Sequence, residues 1–199
     1  MKFIILALSL LASQAFAAKS KPTSITIDTA KSSVVWVGKK VTGEHTGNVN
    51  IKEGNLTVEN DRLVGGEFEL DMASISNSDL SDAEWNKKLV DHLKHEDFFN
   101  VEKYKTAKLK IKNVILGKGG HYDVMADLTI RGVTKPVLFK AELEKEKDSS
   151  YKASSEIVFN RADYGLKYNS GKFFDPKTLG DKLIYDDVTV KVSLKTKKL

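Results

Sequence analysis

Alternation of apolar and polar residues with a period of two runs through most of this chain and constrains its fold more than any other feature. The alternation is clearest over 122–130, 137–143 and 188–194. Successive side chains of a strand point to opposite faces of a sheet, so each such segment predicts a strand with one buried face. The same reasoning predicts further strands at 24–28, 33–41, 44–51, 55–59, 62–71, 107–116 and 151–161. Glycine-rich and polar turn signals separate the strands at 53–55, 59–61, 117–120 and 144–150, which is typical of consecutive antiparallel hairpins.

One segment follows a helical period instead. Ser81 and Glu84 have the spacing of a capping box, in which two side chains satisfy exposed backbone N–H groups at a helix start. Apolar residues then recur every four positions, at Trp85, Leu89 and Leu93. The sequence therefore predicts one amphipathic helix near 81–95. The stretch 165–187 contains too many turn signals for a regular element and is predicted to be a long loop.

The N-terminus has the pattern of an export signal. A lysine at position 2 precedes an apolar run over 3–12, and Ala15-Phe-Ala17 forms a small-x-small cleavage site before Ala18. A retained membrane anchor is the alternative, but the run is shorter than the about 20 apolar residues that span a bilayer. We expect residues 1–17 to be cleaved and residues 18–199 to form a single domain in the periplasm.

Composition excludes several classes of function. The net charge of +5 is modest, and lysines alternate with apolar residues over 108–112, as on the solvent face of a strand, so no nucleic-acid footprint is predicted. The chain has no cysteine, which excludes disulfides, a thiol nucleophile and a lipid-modified N-terminal cysteine. No G-x-S-x-G elbow, phosphate loop or dinucleotide fingerprint is present. We therefore expect no enzyme activity, no metal and no cofactor.

A single antiparallel sheet with one apolar face must cover that face. Closure into a barrel does so and also removes the exposed strand edges. About eight strands enclose an interior that is either filled by side chains or wide enough for one small ligand. Periodicity does not distinguish these two cases, and the predicted helix would cover an open end.

The chain resembles the YceI-like family through short motifs that occur in the family's order. These motifs are Gly43-Glu-His-Thr-Gly47, Asp71-Met-Ala-Ser-Ile75, His92-Leu93 with Phe98-Phe-Asn-Val101, Leu128-Thr-Ile-Arg-Gly-Val-Thr-Lys-Pro136, Arg161-Ala-Asp-Tyr-Gly165, and Leu179-Gly-Asp181 ahead of Asp187-Val188. The resemblance spans about 26–194. It implies an exported protein with an extended, lipocalin-like antiparallel β-barrel whose interior channel holds a polyisoprenoid or isoprenoid quinone. The basic stretch over 195–198 allows weak attraction to anionic lipid, so we expect at most transient contact with a membrane surface, and the oligomeric state is left open, a dimer included.

Candidate ligand-binding residues are the large apolar residues on predicted inward faces and on the helix. They are Trp36, Val49, Phe68, Leu70, Leu89, Leu93, Phe98, Phe99, Leu128, Ile130, Phe139 and Phe159. Ordinary core packing explains each of them equally well, because filled and hollow barrels share the same alternation. Phe173 and Phe174 in the long loop are candidates to gate the mouth of the barrel, or to anchor that loop.

His45 is the polar candidate for a ligand contact. It lies between two glycines on a predicted strand, where another backbone or a ligand can approach closely. We weigh a hydrogen bond to a quinone carbonyl or a pyrophosphate against a purely structural role. His92 and His95 have the spacing of two metal ligands but lack a third, so charge at the end of the helix explains them better.

Two arginines are expected to fix loops through carboxylates, because arginine can hold a carboxylate bidentately. We pair Arg161 with Asp163 and Arg131 with Asp71; head-group binding is the alternative role. Together these features predict a periplasmic lipid-binding protein that transports, stores or sequesters an isoprenoid chain. A ligand-free module acting in envelope stress is the first alternative, and an acid–base enzyme using His45 with Asp71 or Asp163 on a lipid is the second.

Overall fold

A computed structural model describes residues 21–198 of the 199-residue chain. The predicted export signal over 1–17 and its cleavage after Ala17 lie outside these residues. The domain boundary at Ala18 therefore stays a prediction. Within the described part of the chain, no helix has the length and apolar character needed to cross a membrane.

The described residues form one antiparallel sheet of ten strands, and the prediction of an all-β fold is confirmed. The strands are β1 (Thr23–Thr26), β2 (Ser33–Lys40), β3 (Gly43–Asn48), β4 (Asn50–Glu59), β5 (Arg62–Asp71), β6 (Thr106–Leu116), β7 (Tyr122–Ile130), β8 (Val133–Lys145), β9 (Tyr151–Asn160) and β10 (Ile184–Lys195). Their order in the sheet is β1-β4-β5-β6-β7-β8-β9-β10-β2-β3. Most neighbours are consecutive in sequence, as the hairpin signals predicted.

The two ends of this order meet and close the sheet. β1 and β2 together act as one interrupted strand, and β3 and β4 together act as a second one beside it. β2 pairs with β3, and β1 pairs with β4. Between these ladders Val49 N donates to Val34 O at 3.1 Å, and Ile27 N donates to Gly54 O at 2.9 Å. An isolated antiparallel bridge between Ile27 and Thr196 joins the segment between β1 and β2 to the end of β10. The ten segments thus occupy eight positions around a barrel, which agrees with the prediction of about eight strands.

The predicted turn at 53–55 is wrong, since β4 continues through it. The register of β4 against β5 shifts between Ile51 and Glu53, so the local irregularity is a bulge. Gly54 is required there because a Cβ at this position would lie 2.7 Å from Cδ1 of Phe68. An isolated glycine inside a strand pattern indicates a bulge or a close backbone approach.

The predicted helix is present as α1 (Ala83–Lys94), but its N-terminal cap differs from the prediction. Asp82, rather than Ser81, accepts hydrogen bonds from Glu84 N and Trp85 N at 3.0 and 2.9 Å. The capping box is therefore wrong by one residue. Trp85 is 62% exposed, although its spacing places it on the apolar stripe. A short second helix, α2 (Pro176–Leu179), lies within the long loop.

The barrel has two different ends. The segment 72–105, which contains α1, and the loop 161–183 lie at the end where β5, β7 and β9 finish; this is called the helix end below. At the opposite end, Ile25, Val58 and Tyr151 form a separate buried cluster that is packed against Leu143. Apolar side chains therefore fill the interior of the barrel at its far end.

Candidate functional site

A cavity of about 240 Å³ occupies the barrel interior. Its wall along β10 runs from Ile184 to Leu194, which is roughly 33 Å at the rise of about 3.3 Å per strand residue. Residues from β2–β10 and α1 contribute to the wall, and most of them are apolar. The interior is therefore hollow, which the period-two pattern could not determine.

Nearly all the predicted ligand-binding residues lie on this wall. The residues in question are Trp36, His45, Val49, Phe68, Leu70, Leu89, Leu93, Phe98, Phe99, Leu128, Ile130, Phe139 and Phe159. Whether they contact a ligand stays a prediction. Phe174 is the exception, because it does not line the cavity and is 52% exposed. Its neighbour Phe173 is 41% exposed and also lies off the wall.

Other residues of the cavity wall were not predicted to bind a ligand, although most of them lie in the predicted strands with period-two alternation. They include Val34, Ile51, Leu56, Leu63, Met72, Ile75, Leu109, Ile111, Ile157, Val188, Val190, Val192 and Leu194. Most occupy the apolar positions of the predicted alternation. Leu109 and Ile111, for example, alternate with outward lysines. The prediction took only some of the apolar positions on each strand and so left these out.

His45 lies on the cavity wall and is held by a carboxylate. Its Nδ1 atom lies 2.8 Å from Oδ2 of Asp79, and His45 pairs with Gly38 across the β2–β3 ladder. Asp79 also accepts hydrogen bonds from Thr46 N and Asn77 Nδ2. Burial opposes ionisation of Asp79, but these hydrogen bonds outweigh it and hold its pKa below the usual value. The carboxylate therefore fixes the imidazole ring and leaves its Nε2 atom for another partner.

The predicted acid–base pairs of His45 with Asp71 or Asp163 are wrong. Asp71 accepts from Ala73 N at 3.0 Å and so caps a short turn of 3₁₀ helix. Asp163 instead accepts from Lys172 Nζ at 2.7 Å. Asp79 was missed because nothing in the sequence indicates that it lies next to a strand 33 residues earlier.

Gly47, two residues after His45, lies against the backbone of another segment of the chain and leaves no space for a side chain. A Cβ at Gly47 would lie 1.8 Å from the backbone oxygen of Ser76. Ser76 N donates to Asn48 O at 2.9 Å, and Trp36 Nε1 donates to Ser76 O at 3.0 Å. The close approach predicted for this glycine is therefore made by the segment that leads to α1. This segment also positions Asp79 beside His45.

Arg161 fixes a loop, as predicted, but not through Asp163. Its guanidinium is buried and donates to four backbone oxygens at 3.0–3.1 Å, those of Leu166, Tyr168, Ile184 and Tyr185. Its carboxylate partner is Asp186, with 3.2 Å between Arg161 Nη2 and Asp186 Oδ1. This network ties the long loop to the start of β10.

Arg131 does not pair with Asp71 as predicted. Its Nη1 atom donates to the backbone oxygen of Gly165 at 3.2 Å. It therefore contacts the same end of the barrel as Arg161 through a single hydrogen bond.

His92 and His95 have separate surroundings. The His92 ring packs edge-on against Phe98 and Tyr168, with centroid distances of 5.2 and 4.3 Å. Burial lowers its pKa, so the predicted role of a positive charge at the helix end does not fit His92. His95 lies at the end of α1, where its Nδ1 is 3.1 Å from Oδ2 of Asp97. Among residues 21–198 no group of three or more possible metal ligands is found.

A closed antiparallel barrel around an elongated apolar cavity defines the class of this protein as a lipocalin-like β-barrel. The chain belongs to the YceI-like domain family, whose pattern matches residues 25–196. The resemblance deduced from the motifs is thereby confirmed.

Similar sequences and structures extend this assignment. A UPF0312 protein of Photorhabdus laumondii is 41% identical over 104 residues, which are 47% of this chain and 52% of that protein. A UPF0312 protein of Shewanella denitrificans is 28% identical over 130 residues, 63% of this chain and 65% of that protein. The chain thus spans about half to two thirds of the length of these relatives.

Two solved structures share the fold. BcnA of Burkholderia cenocepacia superposes with a TM-score of 0.66 at 20% identity, covering 86% of this chain and 99% of BcnA. A polyisoprenoid-binding domain of Saccharophagus degradans, implicated in plant cell wall breakdown, gives a TM-score of 0.64 at 15% identity, covering 90% of this chain and 100% of that domain. At these identities the likeness shows the fold alone.

Proposed function

We propose that this protein holds a polyisoprenoid or isoprenoid-quinone chain inside its barrel, and that it transports, stores or sequesters that lipid in the periplasm. The observation that carries the proposal is the predominantly apolar wall of a hollow interior that extends along β10 from Ile184 to Leu194. The polyisoprenoid-binding domain with the same fold supports the ligand class. The export signal in the sequence supports the location.

The physical basis for binding is the transfer of hydrocarbon out of water. Each buried CH₂ contributes about 0.8 kcal/mol, so a chain of several isoprene units needs no directional contacts along its length. The far end is filled by Ile25, Val58 and Tyr151. We therefore expect the tail to point towards that cluster and the polar head to remain near His45 and the helix end.

His45 supplies a polar contact for that head. Asp79 occupies its Nδ1 atom, and Nε2 has no protein partner among the hydrogen bonds of the described residues. With Nδ1–H donating to Asp79, Nε2 accepts from a hydroxyl head group when the ring is neutral and donates to a quinone carbonyl or a pyrophosphate oxygen when it also carries a proton. This contact would select for the head group, while the wall provides most of the affinity.

A binding protein rather than an enzyme is the class that the family and the structural neighbours favour. The proposed ligand-free module required a filled interior, which the cavity does not support. The proposed lipid enzyme required His45 beside Asp71 or Asp163, and His45 instead contacts Asp79.

The proposal is tested by mass spectrometry of organic extracts from protein purified without detergent from an exporting host. We expect a near-stoichiometric isoprenoid lipid in the extract, and saturable uptake of an added isoprenoid quinone by the delipidated protein. A protein that is empty when purified and also takes up no added quinone would overturn the proposal.

A further inference from the structure

The exposed aromatic side chains of this protein are concentrated at one end of the barrel. Among residues 21–198, five aromatic side chains are strongly exposed, and all five lie in α1, in the long loop over 161–183 or at the start of β10. They are Trp85, Tyr168, Phe173, Phe174 and Tyr185, with exposures of 40–62%. This is the helix end, opposite the filled cluster of Ile25, Val58 and Tyr151. We call these five residues the aromatic rim.

Shared neighbours link several members of the rim. Tyr168 packs against His92 of α1, and Trp85 lies seven residues before His92, two turns away on the same side of the helix. Phe173 N and Phe174 N both donate to Ser170 O, which places these two rings on one turn. Ser170 forms a bridge with Ile184, the neighbour of Tyr185. The rim is therefore a continuous feature of one end.

The rim also borders the cavity. Tyr185 belongs to both the rim and the cavity wall. Leu89 and Leu93 continue the stripe of Trp85 into the cavity, and Tyr168 contacts the wall residue Phe98. Rim residues thus adjoin apolar residues of the cavity wall.

Lysines accompany the rim. The long loop over 161–183 contains Arg161 and four lysines, at 167, 172, 177 and 182, against three aspartates, at 163, 175 and 181, and Lys172 pairs with Asp163. Lys167 Nζ lies 5.1 Å from the ring centroid of Phe173, and Lys88 Nζ lies 4.5 Å from that of Trp85. Such side chains can bury their methylene groups beside an apolar surface while the charge stays in water or near lipid phosphates.

We infer that the aromatic rim docks the protein on the surface of a lipid bilayer, with the helix end of the barrel facing the membrane. Aromatic side chains are enriched at the membrane–water interface, and adjacent lysines favour anionic head groups. This inference rests on the proposed function, because a ligand with a long hydrocarbon chain is dissolved in membranes and must enter or leave the cavity there. Docking by the rim shortens the path of that chain through water.

The barrel wall offers a matched comparison. Its exposed apolar residues on β7, β8 and β9 are aliphatic or methionine: Met125, Leu138 and Val158. Leu138 is 76% exposed, more than any rim residue, and pairs with Met125 across the β7–β8 ladder. Removing these two residues lowers exposed apolar area without touching the rim.

The test compares a rim variant, Trp85→Ser with Phe173→Ser and Phe174→Ser, with a wall variant, Met125→Ser with Leu138→Ser. Flotation with vesicles of phosphatidylcholine, and of phosphatidylcholine mixed with phosphatidylglycerol, measures docking. Uptake of an isoprenoid quinone delivered from ethanol, without vesicles, measures cavity binding separately. We expect the rim variant to lose vesicle binding at least ten-fold and to keep quinone uptake, and the wall variant to keep both.

Two results would overturn the inference. One is vesicle binding by the rim variant that equals that of the parent, or an equal loss in the wall variant. The other is a vesicle-free dimer that the rim substitutions convert to a monomer, since the rim would then be covered by a second copy. Vesicle docking through the rim by a protein that takes up no quinone would sustain the rim and overturn the proposed ligand instead.

Discussion

His45 and Asp79 form a hydrogen-bonded pair at the cavity wall, with 2.8 Å between Nδ1 and Oδ2, although 34 residues separate them in sequence. The pair places the remaining ring nitrogen of His45 as the polar atom available to a ligand head group. We predict that His45→Ala weakens binding of an isoprenoid quinone about five-fold, which corresponds to one hydrogen bond of about 1 kcal/mol. Competition binding with a fluorescent lipid measures this change.

A hydrocarbon of the same length without a head group is the control ligand for this variant. Its affinity should not change, because the wall is intact. Asp79→Asn should give part of the same loss for the quinone. An equal loss for both ligands would show that His45 supports the barrel rather than the head group.

Filling the cavity should abolish lipid binding. Ala141 is a buried wall residue, so Ala141→Phe places a ring in the space proposed for the lipid. We expect quinone affinity to fall at least ten-fold. Glu142→Phe, one position along the same strand and pointing to solvent, should bind as the parent does. Unchanged binding by Ala141→Phe would place the lipid outside this part of the barrel.

Arg161 should be important for stability because its buried guanidinium satisfies four backbone oxygens. Arg161→Met leaves these oxygens and Asp186 without their partner, so we expect a loss of about 3 to 5 kcal/mol in the free energy of unfolding by urea. Arg131→Met removes one hydrogen bond and should cost about 0.5 kcal/mol. Similar losses for the two variants would contradict this account.

Gly47 should not tolerate a side chain. Because a Cβ there would overlap Ser76 O at 1.8 Å, Gly47→Ala must displace the segment that carries Asp79, and we expect a loss of about 3 kcal/mol in unfolding free energy. Gly38→Ala is the control, since its Cβ meets only Trp36 at 3.9 Å. Thermal unfolding should therefore distinguish the two glycines, and equal midpoints would refute the close approach.

Tyr164 should make the protein sensitive to alkali. Burial, with a smaller contribution from Asp163, raises its pKa from 10.0 to about 12, so the folded state favours the neutral phenol. The contribution of Tyr164 to the free energy of unfolding is therefore fully present below pH 10 and is lost as the pH rises from 10 towards 12. Tyr164→Phe should remove this part of the decline, as measured by urea unfolding at pH 8 and pH 11.

The same substitution should raise stability at neutral pH. The hydroxyl of Tyr164 is buried without a hydrogen-bond partner in the structure, and leaving such a group unpaired costs about 1 kcal/mol or more. We expect Tyr164→Phe to gain about 1 kcal/mol at pH 8. A loss at pH 8 would indicate that the hydroxyl has a partner, such as a buried water.

Strand positions and inward faces could be predicted from the sequence because they depend on local periodicity. Phe139 and Phe159 were placed inward by alternation alone, and both lie on the cavity wall. Pairings between distant residues could not be predicted. Asp186 rather than Asp163 lies beside Arg161, because the bridge between the long loop and β10 brings these residues together. Proximity in sequence favoured the wrong carboxylate.

The helix shows the same division. Its apolar spacing predicted Leu89 and Leu93 on the cavity side, and both line the cavity. Trp85 follows the same spacing, yet it lies in the first turn of α1 and is 62% exposed. Periodicity gives the face of a helix and not the length over which that face is covered.

The sequence by itself determined an antiparallel, half-buried set of strands and one amphipathic helix, because side-chain direction in each element is a local property of the backbone. Only the tertiary structure decided that the barrel is hollow, that its far end is filled by Ile25, Val58 and Tyr151, and that Asp79 orients His45. Those features depend on how strands far apart in the chain close around one another. The volume left inside and the partners of its polar groups are fixed by that closure.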